Sequence, residues 1–187
     1  MNFFKIDKFD SVDGPGIRVG LYVSGCTHKC PGCHSSEYWD FEAGEKFTNK
    51  QVEEIKQVLS QPYITGLSIL GGDPLEKNNT FVLRLFLTNI CEWYKEVFNK
   101  PLDVWLWTGS IYEDLKSSIE SDSVSFDDAS YEANINRIFD YVTVLVDGPY
   151  IESERNLDLP YRGSENQRII DMVKTKECKE LILYEGV

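Results

Sequence analysis

Three of the chain's five cysteines fall within eight residues, as Cys26-Thr-His-Lys-Cys30-Pro-Gly-Cys33. The spacing C-x3-C-x2-C places three thiolates on one loop, able to wrap a single metal centre. The odd total argues against a disulfide frame. Two kinds of centre fit the donor set. A closed zinc site needs a fourth ligand, for which His28 and His34 are the candidates within the loop. A [4Fe–4S] cluster ordinarily takes four cysteines, so three would leave one iron for an exogenous ligand. Cys91 and Cys178 read instead as small buried hydrophobes.

The elements that must hold this loop alternate between strand and helix. Residues 17–24 are rich in β-branched and aromatic types and stop at Gly25, as a strand entering a loop does. Residues 48–61 carry Val52, Ile55, Val58 and Leu59 at helical spacing behind Thr48 as N-cap. A short strand at 67–70 ends at Gly71-Gly72, and a long helix over 82–98 ends before Pro101. Residues 104–107 form a third strand. Ser110 with Glu113 three positions on has the form of a capping box opening a helix to about Ile119. A fourth strand at 141–146 ends at Asp147-Gly148; the segments 169–173 and 181–184 are too short to assign. Such an order implies βαβ units and a largely parallel sheet. The carboxyl ends of its strands share one edge, where ligands bind. Gly25-Cys26, Gly71-Gly72-Asp73, Thr108-Gly109 and Asp147-Gly148 therefore converge on one mouth. Trp105 and Trp107 lie on the third strand, one expected in the core and the other toward the ligand.

The chain has 187 residues, of which 42% are hydrophobic, and the length fits one domain. Nineteen basic against 31 acidic residues give a net charge of −12, which disfavours nucleic-acid and membrane-surface partners. An acidic ligand or partner would need a local basic spot, and Arg162, Asn166, Gln167 and Arg168 provide one. The N-terminus lacks a signal-peptide core, and Arg84 and Glu92 interrupt the most apolar long stretch. A soluble, cytoplasmic protein is expected. The serine-rich acidic stretch at about 120–135 reads as a solvated insertion.

C-x3-C-x2-C after a strand resembles the signature of radical S-adenosylmethionine (SAM) enzymes. Further pieces narrow the resemblance: D-G-P-G-I-R at Asp13 to Arg18, C-P-G-C-H ending at His34, and G-G-D-P-L at Gly71 to Leu75. W-L-W-T-G at Trp105 to Gly109, V-D-G-P-Y at Val146 to Tyr150 and R-G-S-E-N-Q-R-I-I-D at Arg162 to Asp171 follow in order. Together they resemble the activating proteins of anaerobic (class III) ribonucleoside-triphosphate reductase over nearly the whole chain. Two departures stand out: Gly32 occupies a place that is often aromatic in the superfamily, and the acidic stretch lengthens the family core.

The resemblance implies an α/β fold, a partial, open parallel (β/α) barrel. It implies a [4Fe–4S] cluster on Cys26, Cys30 and Cys33, and SAM as second cofactor. Gly32 and His34 would lie against the adenine, Gly71, Gly72 and Asp73 at the amino-acid end of SAM, and Thr108 and Gly109 near the ribose. Asp73 could instead cap the following turn. The implied activity is reductive cleavage of SAM to make a glycyl radical on the partner reductase, with a reduced flavodoxin-like or ferredoxin-like protein as electron donor. The nearest alternatives are another small radical SAM enzyme (a different glycyl-radical activase, or one of modified-base biosynthesis) and a zinc-binding interaction module.

Overall fold

Alternation at every second residue decides how the sheet is covered. In the strand Ile17–Val23 (β2), Val19, Leu21 and Val23 are fully buried in the main core, while Arg18 and Tyr22 face the other way. The strands Ile64–Gly71 (β4), Val104–Trp107 (β5) and Val144–Asp147 (β6) repeat the pattern. Leu67, Ile69, Val104, Leu106 and Leu145 join the main core; Trp105, Val144 and Val146 form a second apolar cluster on the opposite face. The computed structural model describes residues 1–120 and 130–186.

Helices pack on the first face. Asn49–Leu59 (α1), Lys77–Phe98 (α2) and Tyr131–Tyr141 (α4) contribute Ile55, Leu83, Phe86, Leu87, Ile90, Ile135 and Ile138 to the core, all nearly inaccessible to solvent. Each such aliphatic side chain stabilises the fold by roughly 1.5–3 kcal/mol relative to exposure. Tyr112–Glu120 (α3) packs against α4, and Met172–Cys178 (α5) against the sheet edge.

β2, β4, β5 and β6 pair in parallel, as the alternating elements require. Among the described residues the sheet has seven strands, because antiparallel strands extend both sides: Asn2–Asp10 (β1) on β2, Glu45–Lys46 (β3) on β1, and Arg168–Asp171 (β7) on β6. The order β3-β1-β2-β4-β5-β6-β7 leaves the sheet open, the partial barrel expected. Its flanks are antiparallel because no crossover helix separates β1 from β2 or β6 from β7.

Some local expectations change. β1 reads poorly as a strand because register shifts after Phe3 and Asp7 break its alternation. Thr48 caps α1 with a capping box completed by Gln51. The box expected at Ser110 does not open α3: the helix starts at Tyr112, whose N–H donates to Asp147, and the Glu113 carboxylate is held by Arg168. α2 begins at Lys77, five residues ahead of the apolar run that announces it. Of the acidic stretch, residues 131–135 belong to α4, capped by Ser130, and residues 121–129 lie outside the described part. Cys91 is buried, but Cys178 is exposed at the end of α5. Among the described residues no helix is long and apolar enough to cross a membrane.

Arg18 fixes the floor beneath the second face. Its wholly buried guanidinium donates to Ser68 Oγ (2.7 Å), Leu67 O (2.9 Å) and Asp103 Oδ2 (2.7 Å). Ser68 Oγ in turn donates to Asp13 O, tying the Asp-Gly-Pro-Gly turn to β4.

Candidate metal and cofactor site

The cysteine loop leaves β2 and is closed where it returns. Gly25 N donates to Tyr38 O (2.7 Å) and Cys26 N to Trp39 O (3.1 Å). Inside the loop, Cys33 N donates to Cys30 O (3.1 Å), a tight turn through Pro31-Gly32. At its outer side Thr27 donates from both N and Oγ1 to the Glu76 carboxylate at the start of α2. The sulfurs are thus carried on a braced loop. Cys26 is buried, Cys30 and Cys33 are half-buried, and all three are free of disulfides.

The end of β4 meets this loop through its backbone. Gly72 N donates to Val23 O and Asp73 N to Gly25 O, each at 2.8 Å. Gly71 has φ +113, and a Cβ there would lie 2.5 Å from Val23 O, so no other residue fits the turn. Asp73, 2% exposed, gathers the neighbouring turns. Its carboxylate accepts from Leu75 N (2.8 Å), Thr108 Oγ1 (2.9 and 3.0 Å), Gly109 N (2.9 Å) and His28 Nε2 (2.9 Å). The hydrogen bond to Asp73 raises the His28 pKa above its ordinary value against the opposing effect of burial. The imidazole lies against Gly109, where a Cβ would come within 2.7 Å of its Cδ2.

These turns surround a cavity of about 650 Å³. Cys26, Cys30, Gly32, Cys33 and His34 line it from the cysteine loop, Gly71 and Gly72 from β4, and Thr108 and Gly109 from β5. The sequence brings nine of its ten expected site residues to this one space. Asp73 lies behind the wall, beside a smaller cavity of about 420 Å³. Its observed partners are those of a turn cap and a brace between loops. Trp105 and Trp107 share one face of β5: Trp105 is buried, and Trp107 lines the cavity with Nε1 donating to Tyr161 O (2.8 Å). Residues two apart on a strand point the same way, so they differ in depth and not in face.

Sequence reasoning missed the remaining wall. Between β6 and β7 the chain forms a strap, and Tyr150, Glu152, Arg155, Leu157, Leu159 and Tyr161 line the cavity from it. The segment lacks periodicity, so only its flanking motifs announced it. The basic spot at its end makes several contacts within the chain. Arg168 is paired with Asp147 and Glu113, Asn166 Nδ2 donates to Pro149 O, and Arg162 Nη1 donates to Gln167 O. These contacts fasten the strap, while Arg162 Nε and Asn166 Oδ1 are left without a partner among the described residues.

The donor set suits a soft metal centre, zinc or an iron–sulfur cluster. Three thiols share one roomy cavity. The loop's His28 is held through Nε2 by Asp73. Burial pushes the Cys26 thiol up to about 11, so a bare thiolate is disfavoured there and a cationic centre is what would stabilise it.

An open α/β sheet thus carries a three-cysteine loop above a cavity, a donor set able to hold an iron–sulfur cluster. Residues 12–170 match the family model described as "4Fe-4S single cluster domain". The chain is 39% identical over 171 residues to the anaerobic ribonucleoside-triphosphate reductase-activating protein of Enterobacteria phage T4, covering 90% of this chain and 93% of that one. The proteins of the same name from Pasteurella multocida and Escherichia coli K12 are 36% and 32% identical, with 90% and 89% of this chain and 96% of each relative covered. The chain belongs to the family of anaerobic ribonucleoside-triphosphate reductase-activating proteins.

Proposed function

We propose that the chain activates an anaerobic ribonucleoside-triphosphate reductase by generating a glycyl radical on it, with SAM and a [4Fe–4S] cluster as cofactors. The observation that carries this reading is the convergence of Cys26, Cys30 and Cys33 with the Gly71-Gly72 and Thr108-Gly109 turns on one cavity. When bound, the cluster supplies one electron to the sulfonium of SAM, whose S–C5′ bond breaks to give methionine and the 5′-deoxyadenosyl radical that takes a glycine Cα hydrogen from the partner.

The chain's own residues position and shield. Cys26, Cys30 and Cys33 hold three corners of the cluster, leaving the fourth for SAM. Backbone groups of Gly71 and Gly72 face the amino-acid end of SAM, with no side chain to hold it off. Thr108 and Gly109 flank the ribose, and Gly32 and His34 the adenine. Asp73 acts from behind the wall by bracing His28, Thr108 and Gly109, since its carboxylate is filled by protein donors. The strap between β6 and β7 walls the cavity and limits access of water to the radical. A reduced flavodoxin-like or ferredoxin-like protein serves as electron donor.

The test is an anaerobic incubation of the iron- and sulfide-reconstituted protein with a reductant, SAM and the reductase. Formation of 5′-deoxyadenosine together with a glycyl radical signal on the reductase is expected. Absence of both, with the cluster intact and reduced, would overturn the reading.

A further inference from the structure

Gly148 follows β6 and lines the cavity, with both its N–H and its carbonyl held. Its N–H donates to Ser110 O (3.0 Å). The preceding Asp147, wholly buried, accepts from Tyr112 N (2.8 Å) and Arg168 Nε (2.9 Å). The Gly148 carbonyl accepts from Gln167 Nε2 at 3.1 Å. Gln167 also lines the cavity, and it uses the other end of its amide at the far end of the strap. There Oε1 accepts from Gly163 N (2.9 Å) and Ser164 N (3.2 Å). One side chain thus clasps the two ends of the strap together at the cavity wall.

We propose that Gln167 is a positioning residue for bound SAM, acting through Gly148. The proposal rests on the assignment of the cavity to SAM. Of the strap's fastenings, the Gln167 amide is the one that joins the cavity-lining Gly148, through Nε2, to Gly163 and Ser164 at the other end of the strap, through Oε1. Asn166 Nδ2 to Pro149 O (2.7 Å), Ile151 N to Ser164 Oγ (3.2 Å) and Glu165 N to Glu154 O (3.0 Å) close the strap on itself.

The chemistry of the side chain supplies the test. Glutamate at this place would keep an acceptor for Gly163 and Ser164 but present a carboxylate oxygen to the Gly148 carbonyl, where a donor is required. Methionine matches the length and offers neither function. Gln167→Glu therefore breaks the link to the cavity and spares the strap, whereas Gln167→Met breaks both.

The experiment is an anaerobic titration of reconstituted wild type, Gln167→Glu and Gln167→Met with SAM. It follows the change SAM causes in the low-temperature electron paramagnetic resonance spectrum of the reduced cluster, with the thermal midpoint of each protein measured alongside. Gln167→Glu is expected to need about tenfold more SAM for half-maximal change, with its midpoint close to wild type. Gln167→Met is expected to show the same loss together with a lower midpoint. Equal SAM requirement in wild type and Gln167→Glu overturns the proposal, as does a loss confined to Gln167→Met, which would make the clasp merely structural. A spectrum of wild type that does not respond to SAM at all overturns the functional reading itself, and that result is recognised by its independence from residue 167.

Discussion

His28 Nε2 lies 2.9 Å from Asp73 Oδ2, so a residue between two of the loop cysteines is bound to the residue that ends the β4 turn. The same carboxylate receives Thr108 Oγ1 and Gly109 N, and two separate segments are thereby fixed to one buried carboxylate. A buried carboxylate is stable only when its oxygens are filled, and here protein donors fill them.

The strength of that brace can be measured. Asp73→Asn should destabilise the protein by about 2–3 kcal/mol, because charge-assisted bonds to backbone and imidazole become neutral or reversed. His28→Ala should cost about 1 kcal/mol. Urea denaturation of both single variants and the double variant should give a coupling energy of about 1 kcal/mol. A coupling near zero would show that the two residues are neighbours without being a brace.

Alanine at Cys26, Cys30 or Cys33 should abolish retention of iron and sulfide after anaerobic reconstitution. Cys178→Ser should retain both in full, since Cys178 is exposed at the end of α5, away from the cavity-lining residues. Iron and acid-labile sulfide analysis reads the contrast directly. Loss of iron from the Cys178 variant would contradict the ligand assignment.

Asp13 shares the Tyr22 hydroxyl with Asp10, at 2.6 Å and 3.3 Å, beneath the ring that Lys5 covers from 4.0 Å. Burial pushes the Asp13 carboxyl up from 3.8 to about 6, the Tyr22 hydrogen bond only partly opposing it. A carboxyl with a higher pKa folded than unfolded binds its proton more tightly in the native state. Its contribution to stability is therefore full below about pH 4 and is lost as pH rises through about 6. Asp13→Asn should accordingly gain about 2–3 kcal/mol over wild type at pH 8 and nothing at pH 4. Denaturation midpoints across that range check the sign, and a gain that grows toward acid pH would refute it.

Gly71→Ala should cost about 2–3 kcal/mol, from a positive φ and a Cβ 2.5 Å from the Val23 carbonyl oxygen. Both the strain and the clash fall on backbone, which cannot rotate away. A thermal midpoint matching wild type would mean that the turn rearranges freely, and with it this wall of the cavity.

Much of the frame was readable because local rules act alone in it. The parallel strands β2, β4, β5 and β6 show themselves by apolar runs ending at glycine. Thr48 announces α1 through a cap that needs only its own neighbours. Ser110 and Glu113 obey the same local rule and fail, because Asp147 and Arg168, distant in sequence, compete for the Tyr112 N–H and the Glu113 carboxylate. β1 was hidden for a similar reason: its pairing with β2 is interrupted by bulges that only the partner strand reveals.

By itself the sequence determined which atoms are available for chemistry: three thiols at fixed spacing, and glycine turns at the ends of strands. Residue types and short spacings are covalent facts, and a parallel sheet gathers strand ends without further instruction. Tertiary structure decided what each group faces. It turned Asp73 away from the cavity into a brace, spent Arg168 on Asp147 and Glu113, and brought the aperiodic strap across as a wall. A hydrogen bond is made with whatever donor folding brings near, and no spacing along the chain records that.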